Sequence, residues 1–289
     1  MKIAVVTDST SYLSDDEVKQ NNISVVPIPV VIDGRSYNEG VDITNEEFYD
    51  KLRHSKSFPS TSQPPLGEMI ELYQRLSDEG YEAVISIHLA STISGFVNSL
   101  NNIAGSIDGI KVYPYDSQIT VKLMGYLVIA AARMAKAGTY TPEEIMTRLD
   151  EIRKTIGEYF IVDDLQNLVR GGRLSNASAF IGSVLKIKPL LTFDDTSHEI
   201  VAFEKVRSRK KALLRVETLF SEVVKNVDYP LRAIVINAND PDGGAQWTKK
   251  ISAMYPDLPI EQGEFGPVIG THLGEKALAL AWMIDIDRI

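Results

Sequence analysis

Hydroxyl-bearing side chains are concentrated in three short segments, each at or near the end of a predicted strand or the start of a predicted helix. The segments are DST at residues 8–10, STS at residues 60–62 and STIS at residues 91–94. The second and third lead into predicted helices, whose first turns present free backbone N–H groups and a partial positive charge. Hydroxyl donors beside such amides can bind an anion without arginine or lysine. Because Ser and Thr before helices are also common N-caps, capping alone stays open as the alternative interpretation.

The first half of the chain alternates between predicted strands and predicted helices, which indicates a doubly wound parallel sheet. In such sheets ligands bind beyond the carboxyl ends of the strands, so the three hydroxyl segments are expected at or near one edge. Pro27 and Pro29 exclude a central strand at residues 24–32 and favour either an edge strand or a segment that lies over the sheet. The predicted strands are residues 2–6, 83–88 and 111–115, and the predicted helices are residues 13–21, 45–53, 66–77, 95 onward and 120–137.

The pattern changes after the turn signal GTYTP at residues 138–142, and strands dominate the remainder. We therefore predict a domain boundary near Gly157, with an N-terminal domain at residues 1–157 and a C-terminal domain at residues 158–289. One predicted helix, residues 142–156, lies between that turn and the boundary. Beyond the boundary the predicted strands are residues 159–163, 190–194, 199–206, 232–237 and 260–268, and the predicted helices are residues 210–226 and 243–255.

A single histidine, His272, lies within the glycine-rich run GPVIGTHLG at residues 266–274. Its imidazole could donate a hydrogen bond to a carboxylate or carry positive charge near neutral pH. A purely structural role stays open. His88 is expected at a strand end, facing solvent.

Two segments concentrate arginine. In the run LVRGGRLS at residues 168–175, adjacent glycines predict a tight turn that carries Arg170 and Arg173. These guanidinium groups could bind phosphate or a partner carboxylate, or could hold a domain interface. The run RSRKKALLR at residues 207–215 is either a solvated helix face or a docking surface for an acidic partner.

Composition excludes several classes of protein. The formal net charge is −9, which argues against a dominant nucleic-acid role and against docking on anionic membranes. The absence of cysteine excludes disulfides, thiol catalysis and thiolate metal sites. The longest apolar run, residues 123–132, is far shorter than the roughly 20 residues of a membrane span. Without a signal-peptide pattern, a dinucleotide fingerprint, a P-loop or a G-x-S-x-G elbow, we expect a cytoplasmic protein that has no cofactor and no metal.

Several motifs together resemble the DegV family across essentially the whole chain. They are IAVVTDST at residues 3–10, TSQP at residues 61–64, Ser94-Gly95, LQNLVRGGR at residues 165–173 and GTHLG at residues 270–274. The resemblance implies an α/β fold of two domains. The N-terminal domain would be a three-layer α/β/α arrangement with a parallel sheet, and the C-terminal α/β domain would contain a mixed sheet.

The same resemblance implies a function, because bacterial members bind fatty acids as subunits of a fatty-acid kinase. A long-chain acid would place its tail in an apolar cavity, with its carboxylate held by Thr61 and Ser94. The neighbouring Ser62, Thr92 and Gly95 and the family's late histidine, His272, would complete that site. A separate ATP-dependent kinase would phosphorylate the bound acid, which makes this chain a carrier rather than an enzyme. The residues implied in meeting the kinase are Arg170, Arg207 and Arg209.

This sequence departs from the family's motifs at two places, where Phe96-Val97 replaces Thr-Tyr and Glu275-Lys276 replaces Pro-Gly. The expected partners are a long-chain fatty acid and the kinase, with no nucleic acid and only transient membrane contact. One alternative is a small-molecule enzyme that uses Ser94 and His272 in an interdomain cleft. Another is a transcriptional or structural partner protein acting through residues 207–215, against which the negative net charge argues.

Overall fold

The computed structural model describes residues 1–179 and 188–289, apart from the side chain of residue 179. The chain divides into two compact units. The first unit comprises Met1–Ile43 and Thr61–Lys154, and the second comprises Thr44–Ser60 and Thr155–Ile289.

Helices and strands alternate along most of the chain. The strands are β1 (Ile3–Asp8), β2 (Ile23–Val26), β3 (Pro29–Ile32), β4 (Arg35–Asn38), β5 (Ser60–Thr61), β6 (Ala83–His88), β7 (Lys111–Asp116), β8 (Gly157–Ile161), β9 (Lys188–Phe193), β10 (Ile200–Val206), β11 (Leu231–Asn237), β12 (Ile260–Glu264) and β13 (Leu278–Ile284). The α-helices are α1 (Asp15–Asn21), α2 (Asn45–His54), α3 (Leu66–Asp78), α4 (Phe96–Ala104), α5 (Val121–Ala137), α6 (Pro142–Arg153), α7 (Gln166–Gly171), α8 (Arg209–Asn226), α9 (Pro241–Met254) and α10 (Pro267–Leu273). Short 3-10 turns lie at Ser9–Ser11 and Ala177–Ala179.

The first unit is built on a parallel sheet of four strands in the order β2-β1-β6-β7. Strands β1 and β6 are buried along their whole length, as their unbroken apolar runs predict. One face packs against α3 and α4, and α5 packs against β1 with α1 and α6 beside it. This arrangement confirms the predicted three-layer, doubly wound architecture.

The segment that contains Pro27 and Pro29 forms no central strand of the parallel sheet, as predicted. Strand β2 lies at the edge of the parallel sheet, while β3 leaves it to pair antiparallel with β4 in a separate small sheet. A proline cannot donate to a sheet ladder, and Pro27 lies between the end of β2 and Pro29, the first residue of β3.

Local side-chain chemistry sets several helix starts. Thr44 and Thr141 each form a capping box with a glutamate three residues later. Ser14 caps α1, again with a reciprocal glutamate.

The second unit is built on a mixed sheet of six strands in the order β10-β9-β8-β13-β11-β12. Only the β11–β12 pair is parallel, and the other pairs are antiparallel. This confirms the mixed sheet. Its core includes the aromatic side chains of Phe220, Trp247 and Trp282.

Three elements of this unit differ from the prediction. The strand predicted at residues 260–268 ends at Glu264, because Pro267 begins the short helix α10. Sequence periodicity also missed α7 and the central strand β13, which is a continuous apolar run that could equally be a buried helix.

Helix α2 belongs to the second unit, although it lies within residues 1–157, which the sequence assigns to the N-terminal domain. Tyr49 Oη donates a hydrogen bond of 2.8 Å to the carbonyl oxygen of Phe265. Phe48 and Tyr49 are almost fully buried, and both rings lie against Gly270 of α10. Burial of these two rings against α10 therefore places α2 in the second unit, although α2 lies in the first part of the chain.

Candidate ligand site

The segment at residues 89–95 is anchored at the carboxyl edge of the parallel sheet by two carboxylates. The backbone N–H of Leu89 donates to Asp8 Oδ2 at 3.1 Å, and the N–H of Ser91 donates to Asp116 Oδ1 at 3.1 Å. Between them, the N–H of Ala90 donates to the carbonyl of Ile119 at 2.8 Å. The ends of β1, β6 and β7 thus meet at one edge, as expected for parallel strands.

A buried polar network lies directly beneath this segment. His88 Nδ1 is 2.9 Å from Asp8 Oδ2, and His88 Nε2 is 2.7 Å from Ser86 Oγ. Ser86 Oγ lies 2.8 Å from Tyr73 Oη, and all four side chains are fully buried. Burial raises the pKa of Tyr73, so the phenol keeps its proton.

This network corrects the expectation that His88 faces solvent. Its order of carboxylate, imidazole and hydroxyl resembles a catalytic triad, but no substrate can reach a hydroxyl with no exposed surface. The network therefore has a structural role. Sequence reasoning missed it, although Asp8 and His88 end neighbouring parallel strands, which place strand ends together.

The side chains of residues 8–10 form hydrogen bonds within the protein, whereas the sequence placed them among the candidate anion-binding hydroxyls. Thr10 Oγ1 donates to Asp8 Oδ1 at 2.6 Å. Ser9 Oγ donates to Glu39 Oε2 at 2.5 Å and accepts from the N–H of Ile28 at 3.1 Å. These bonds brace the first unit, so the candidate ligand site is reduced to the other two hydroxyl segments.

Gln63 joins those two remaining segments. Its Oε1 accepts a hydrogen bond of 3.0 Å from Ser99 Oγ on α4. Its Nε2 lies 2.8 Å from the position that a Cβ on Gly95 would occupy, so only glycine fits there without a shift. The TSQP turn and the Ser94-Gly95 helix start are therefore adjacent within the first unit. The sequence contains Gln63 in that motif, but its spacing alone assigns the side chain no role.

N-capping does not account for most of these hydroxyls. The N-cap residue of α3 is Pro65, four residues after Thr61, and the N-cap of α4 is Gly95. Ser94 Oγ accepts from the N–H of Phe96 at 3.3 Å, a local bond that orients the hydroxyl. Ser62, Thr92 and Gly95 are exposed, whereas Thr61 and Ser94 are half-buried. Hydroxyls in this setting, beside the first turn of α4, can bind an anion.

His272 lies on α10 in the second unit, against the first glycine of the Arg-Gly-Gly turn. Its Nδ1 is 2.6 Å from the position that a Cβ on Gly171 would occupy, so the two glycine-rich motifs meet. Desolvation, together with the nearby charge of Arg173, lowers the pKa of His272 to about 4. The imidazole is therefore neutral at physiological pH and acts as a hydrogen-bond donor or acceptor rather than a cation.

The three arginines implied in partner docking have different surroundings in the structure. Arg170 and Arg207 are exposed. Arg209 forms an ion pair with Asp240, the N-cap residue of α9, and donates to the carbonyl of Lys276 at 2.7 Å. Its guanidinium therefore connects α8 to the start of α9.

The described residues contain neither a metal-binding group of side chains nor a membrane-spanning helix. In the described parts of the chain, no group of His, Asp or Glu side chains is arranged to hold a metal ion. Within residues 1–179 and 188–289, no helix has both the length and the apolar character needed to cross a membrane.

A parallel α/β unit with hydroxyl-bearing loops at its carboxyl edge and a second unit with a mixed sheet together define a two-domain class of α/β protein. The family description "Uncharacterised protein, DegV family" matches residues 2–285. The chain belongs to the DegV family.

Individual relatives agree with this assignment. A DegV domain-containing protein of Listeria innocua is 47% identical over 283 residues, which cover 98% of this chain and 99% of the relative. The crystal structure of DegV, a fatty acid binding protein from Bacillus subtilis, matches with a TM-score of 0.90 and 44% identity, covering 99% of this chain and 100% of that one. A fatty acid binding DegV family protein from Streptococcus agalactiae matches with a TM-score of 0.91 and 35% identity, covering 99% of both chains.

Proposed function

We propose that this protein binds a long-chain fatty acid and presents its carboxylate to a separate kinase, which forms the acyl phosphate. The observation that supports it best is the junction formed by Gln63, which holds two hydroxyl segments together at the start of α4. That junction occurs in a chain whose structural relatives from Bacillus subtilis and Streptococcus agalactiae are fatty-acid-binding proteins.

The proposed headgroup site consists of hydroxyl donors. The glutamate side chain, an alkyl carboxyl group, has a reference pKa of about 4.3, so a fatty-acid carboxylate of the same kind is ionised at neutral pH and needs several hydrogen bonds when buried. Thr61 and Ser94 would donate to it directly, with Ser62, Thr92 and Gly95 adjacent. Because Ser94 Oγ already accepts from the N–H of Phe96, its own hydrogen can be donated to the ligand.

His272 would add one N–H donor. The lowered pKa means that it would bind the carboxylate as a neutral imidazole, without forming an ion pair. A site without a strong cation leaves a carboxylate oxygen able to accept a phosphoryl group, which is what presentation to a kinase requires.

The acyl tail would supply most of the affinity. Each buried methylene contributes roughly 0.8 kcal/mol, so ten buried methylenes contribute about 8 kcal/mol before the cost of ordering the chain. The headgroup contacts would then fix the register of the acid. We further propose that loading involves only brief contact with a membrane, because the net charge of −9 opposes stable docking on anionic lipid.

Ser94→Ala tests the headgroup site. We expect a lower affinity for oleate, measured by titration calorimetry, with an unchanged melting temperature of the ligand-free protein. Ser106→Ala, which removes an exposed hydroxyl elsewhere in the first unit, is the matched control. Mass spectrometry of gently purified protein provides a second test. The proposal fails if no acyl chain co-purifies and added fatty acids leave the melting temperature unchanged.

Arg207→Ala tests presentation to the kinase. We expect unchanged fatty-acid binding but slower acyl-phosphate formation when the kinase and ATP are added. Arg148→Ala, which removes an exposed arginine of the first unit, is the control. Arg170 and Arg209 are further docking candidates, although substitution of Arg209 would also disturb its pairing with Asp240. Turnover of acyl or phosphoryl substrates without a kinase would contradict the carrier proposal and favour an enzyme that uses Ser94 or His272.

A further inference from the structure

Phe96 is the first residue of α4 and follows closely after Ser94, whose hydroxyl belongs to the proposed headgroup site. Ser94 is half-buried and Gly95 is exposed, whereas the side chain of Phe96 has no solvent-exposed surface. Its ring belongs to the apolar core of the first unit, which also contains Val6 of β1 and Leu76 of α3. Phe96 therefore connects the edge of the candidate ligand site to the core.

The ring of Phe96 lies against the imidazole of His88, the last residue of β6. The two ring centroids are 4.6 Å apart and the ring planes meet at 68°, an edge-to-face arrangement. The energy of such a contact depends on the relative orientation of the rings, because an aromatic ring has a negative face and a positive edge. The position of Phe96 therefore depends on the orientation of the imidazole.

Hydrogen bonds at both nitrogens fix the orientation and the tautomer of that imidazole. Burial raises the pKa of Tyr73, so its phenol keeps its proton and donates to Ser86 Oγ. The Ser86 hydroxyl then donates its own hydrogen to His88 Nε2. His88 Nδ1 donates to the carboxylate of Asp8, which has no hydrogen to give and also accepts from the N–H of Leu89. The hydrogen bonds thus run in one direction and leave the imidazole protonated at Nδ1.

The backbone of Phe96 is bonded to the Ser94 hydroxyl. The N-cap residue of α4 is Gly95, which has no side chain to accept a bond from the first turn of the helix. The N–H of Phe96 instead donates to Ser94 Oγ at 3.3 Å. The Ser94 hydroxyl is therefore held by the backbone of a residue whose ring is held by His88.

We infer that Phe96 is the positioning residue for Ser94, because its ring, packed against the imidazole of His88 protonated at Nδ1, fixes the direction of the Ser94 hydroxyl. The consequence for fatty-acid affinity rests on the proposed function. The family's motif has threonine in place of Phe96, and threonine has no ring to pack against an imidazole. The contact therefore distinguishes this chain from that motif.

A double-mutant cycle tests whether Phe96 acts through Ser94. Phe96→Leu keeps an apolar side chain in the core but removes the ring contact. We expect oleate to bind roughly two- to tenfold more weakly in titration calorimetry, the range equivalent to one aromatic pair. In a Ser94→Ala background the same substitution should change the affinity by less than about twofold, because the hydroxyl that it positions is absent. Equal effects of Phe96→Leu in the two backgrounds would overturn the inference.

Leu76→Ala is the matched control for a general loss of packing, since Leu76 is buried in the same core on α3. It should lower the melting temperature at least as much as Phe96→Leu does and leave the affinity for oleate unchanged. If affinity falls with melting temperature in the same proportion in both variants, Phe96 has a packing role alone and the inference fails.

Two measurements on the ligand-free protein separate this test from the fatty-acid proposal. Nitrogen NMR should show His88 as a neutral imidazole protonated at Nδ1, and protonation at Nε2 would overturn the inference. Hydrogen exchange of the residue 96 amide should be several-fold faster in Phe96→Leu and unchanged in Leu76→Ala, because exchange reports local opening. An unchanged rate in Phe96→Leu would also overturn it. If the wild type binds no oleate, the carrier proposal fails, and this exchange rate decides whether Phe96 holds the Ser94 hydroxyl.

Discussion

His88 Nδ1 lies 2.9 Å from Asp8 Oδ2, and neither side chain has any solvent-exposed surface. The pair joins the last residues of β1 and β6 at the edge where the segment at residues 89–95 begins. The same Asp8 oxygen accepts from the N–H of Leu89 at 3.1 Å, so the pair also holds the start of the segment that carries Ser94. The position of a candidate ligand residue thus depends on a buried interaction that no ligand touches.

Asp8→Ala should destabilise the protein strongly. The substitution leaves His88, Thr10 and the N–H of Leu89 without their shared acceptor. Breaking a buried pair of this kind costs about 3–5 kcal/mol, and urea unfolding would measure the loss. Asp108→Ala, at an exposed aspartate of the same unit, should change the free energy of unfolding by no more than about 0.5 kcal/mol. Equal stabilities of the two variants would show that the buried network is not a major source of stability.

Gly95→Ala should weaken fatty-acid binding. Its added Cβ would lie 2.8 Å from Gln63 Nε2, so the amide must move and the bond from Ser99 to Gln63 must loosen. We expect a decrease in affinity equivalent to about 1 kcal/mol, the net worth of one hydrogen bond, measured by calorimetry with oleate. Gly67→Ala is the control, because a Cβ there meets nothing within 4 Å, and it should leave binding unchanged. Undiminished binding by Gly95→Ala would show that the position of Gln63 does not matter for the ligand.

His272 should make the protein less stable as the pH falls from about 6.5 to about 4. Desolvation, with a contribution from Arg173, lowers its folded-state pKa from 6.5 to about 4, so in this window the unfolded chain binds a proton that the folded chain does not. The free energy of unfolding therefore rises with pH there, by at most about 1.4 kcal/mol per pH unit, and the contribution is complete above pH 6.5. Urea unfolding of His272→Gln should give a less positive slope than the wild type in this window, whereas His54→Gln, at an exposed histidine, should match the wild type. A slope in His272→Gln equal to that of the wild type would assign the effect to another group.

Glu158 should produce a pH dependence of the opposite sign. Burial, with a smaller contribution from Asp195, raises its pKa from 4.5 to about 7, against the bonds it accepts from the Phe193 N–H and Thr192. Between these pH values the folded chain binds the proton, so the free energy of unfolding falls as the pH rises. In the wild type this effect opposes that of His272. Glu158→Gln should therefore show a steeper increase of stability with pH than the wild type, measured by urea unfolding between about pH 5 and 7. Glu71→Gln, at an exposed position, should match the wild type.

Much of the fold could be predicted because its signals are local. Apolar runs predicted β1, β6 and β7, and the predicted starts of α2 and α6 agree with the structure. Strand β13 was missed, because an apolar run of seven residues fits a buried helix as well as a strand. The membership of α2 in the second unit was also missed, because the contacts of Tyr49 are with residues more than two hundred positions later.

For the candidate site as well, some features could be predicted from the sequence and others could not. The hydroxyl segments and the glycine-rich histidine run were recognisable as residue types in a pattern. The roles of Gln63 and His88 were not, because they depend on which loops and strand ends lie side by side.

The sequence by itself determined the alternation of elements, the helix caps, the family and the set of residues that could bind an anion. These follow from local propensity, periodicity and motif order. The tertiary structure decided which hydroxyls form hydrogen bonds to other side chains, as Ser9 and Thr10 do, and which lie beside the start of α4. It also decided that His272 is neutral, because desolvation depends on the side chains packed around a group rather than on its neighbours in the chain.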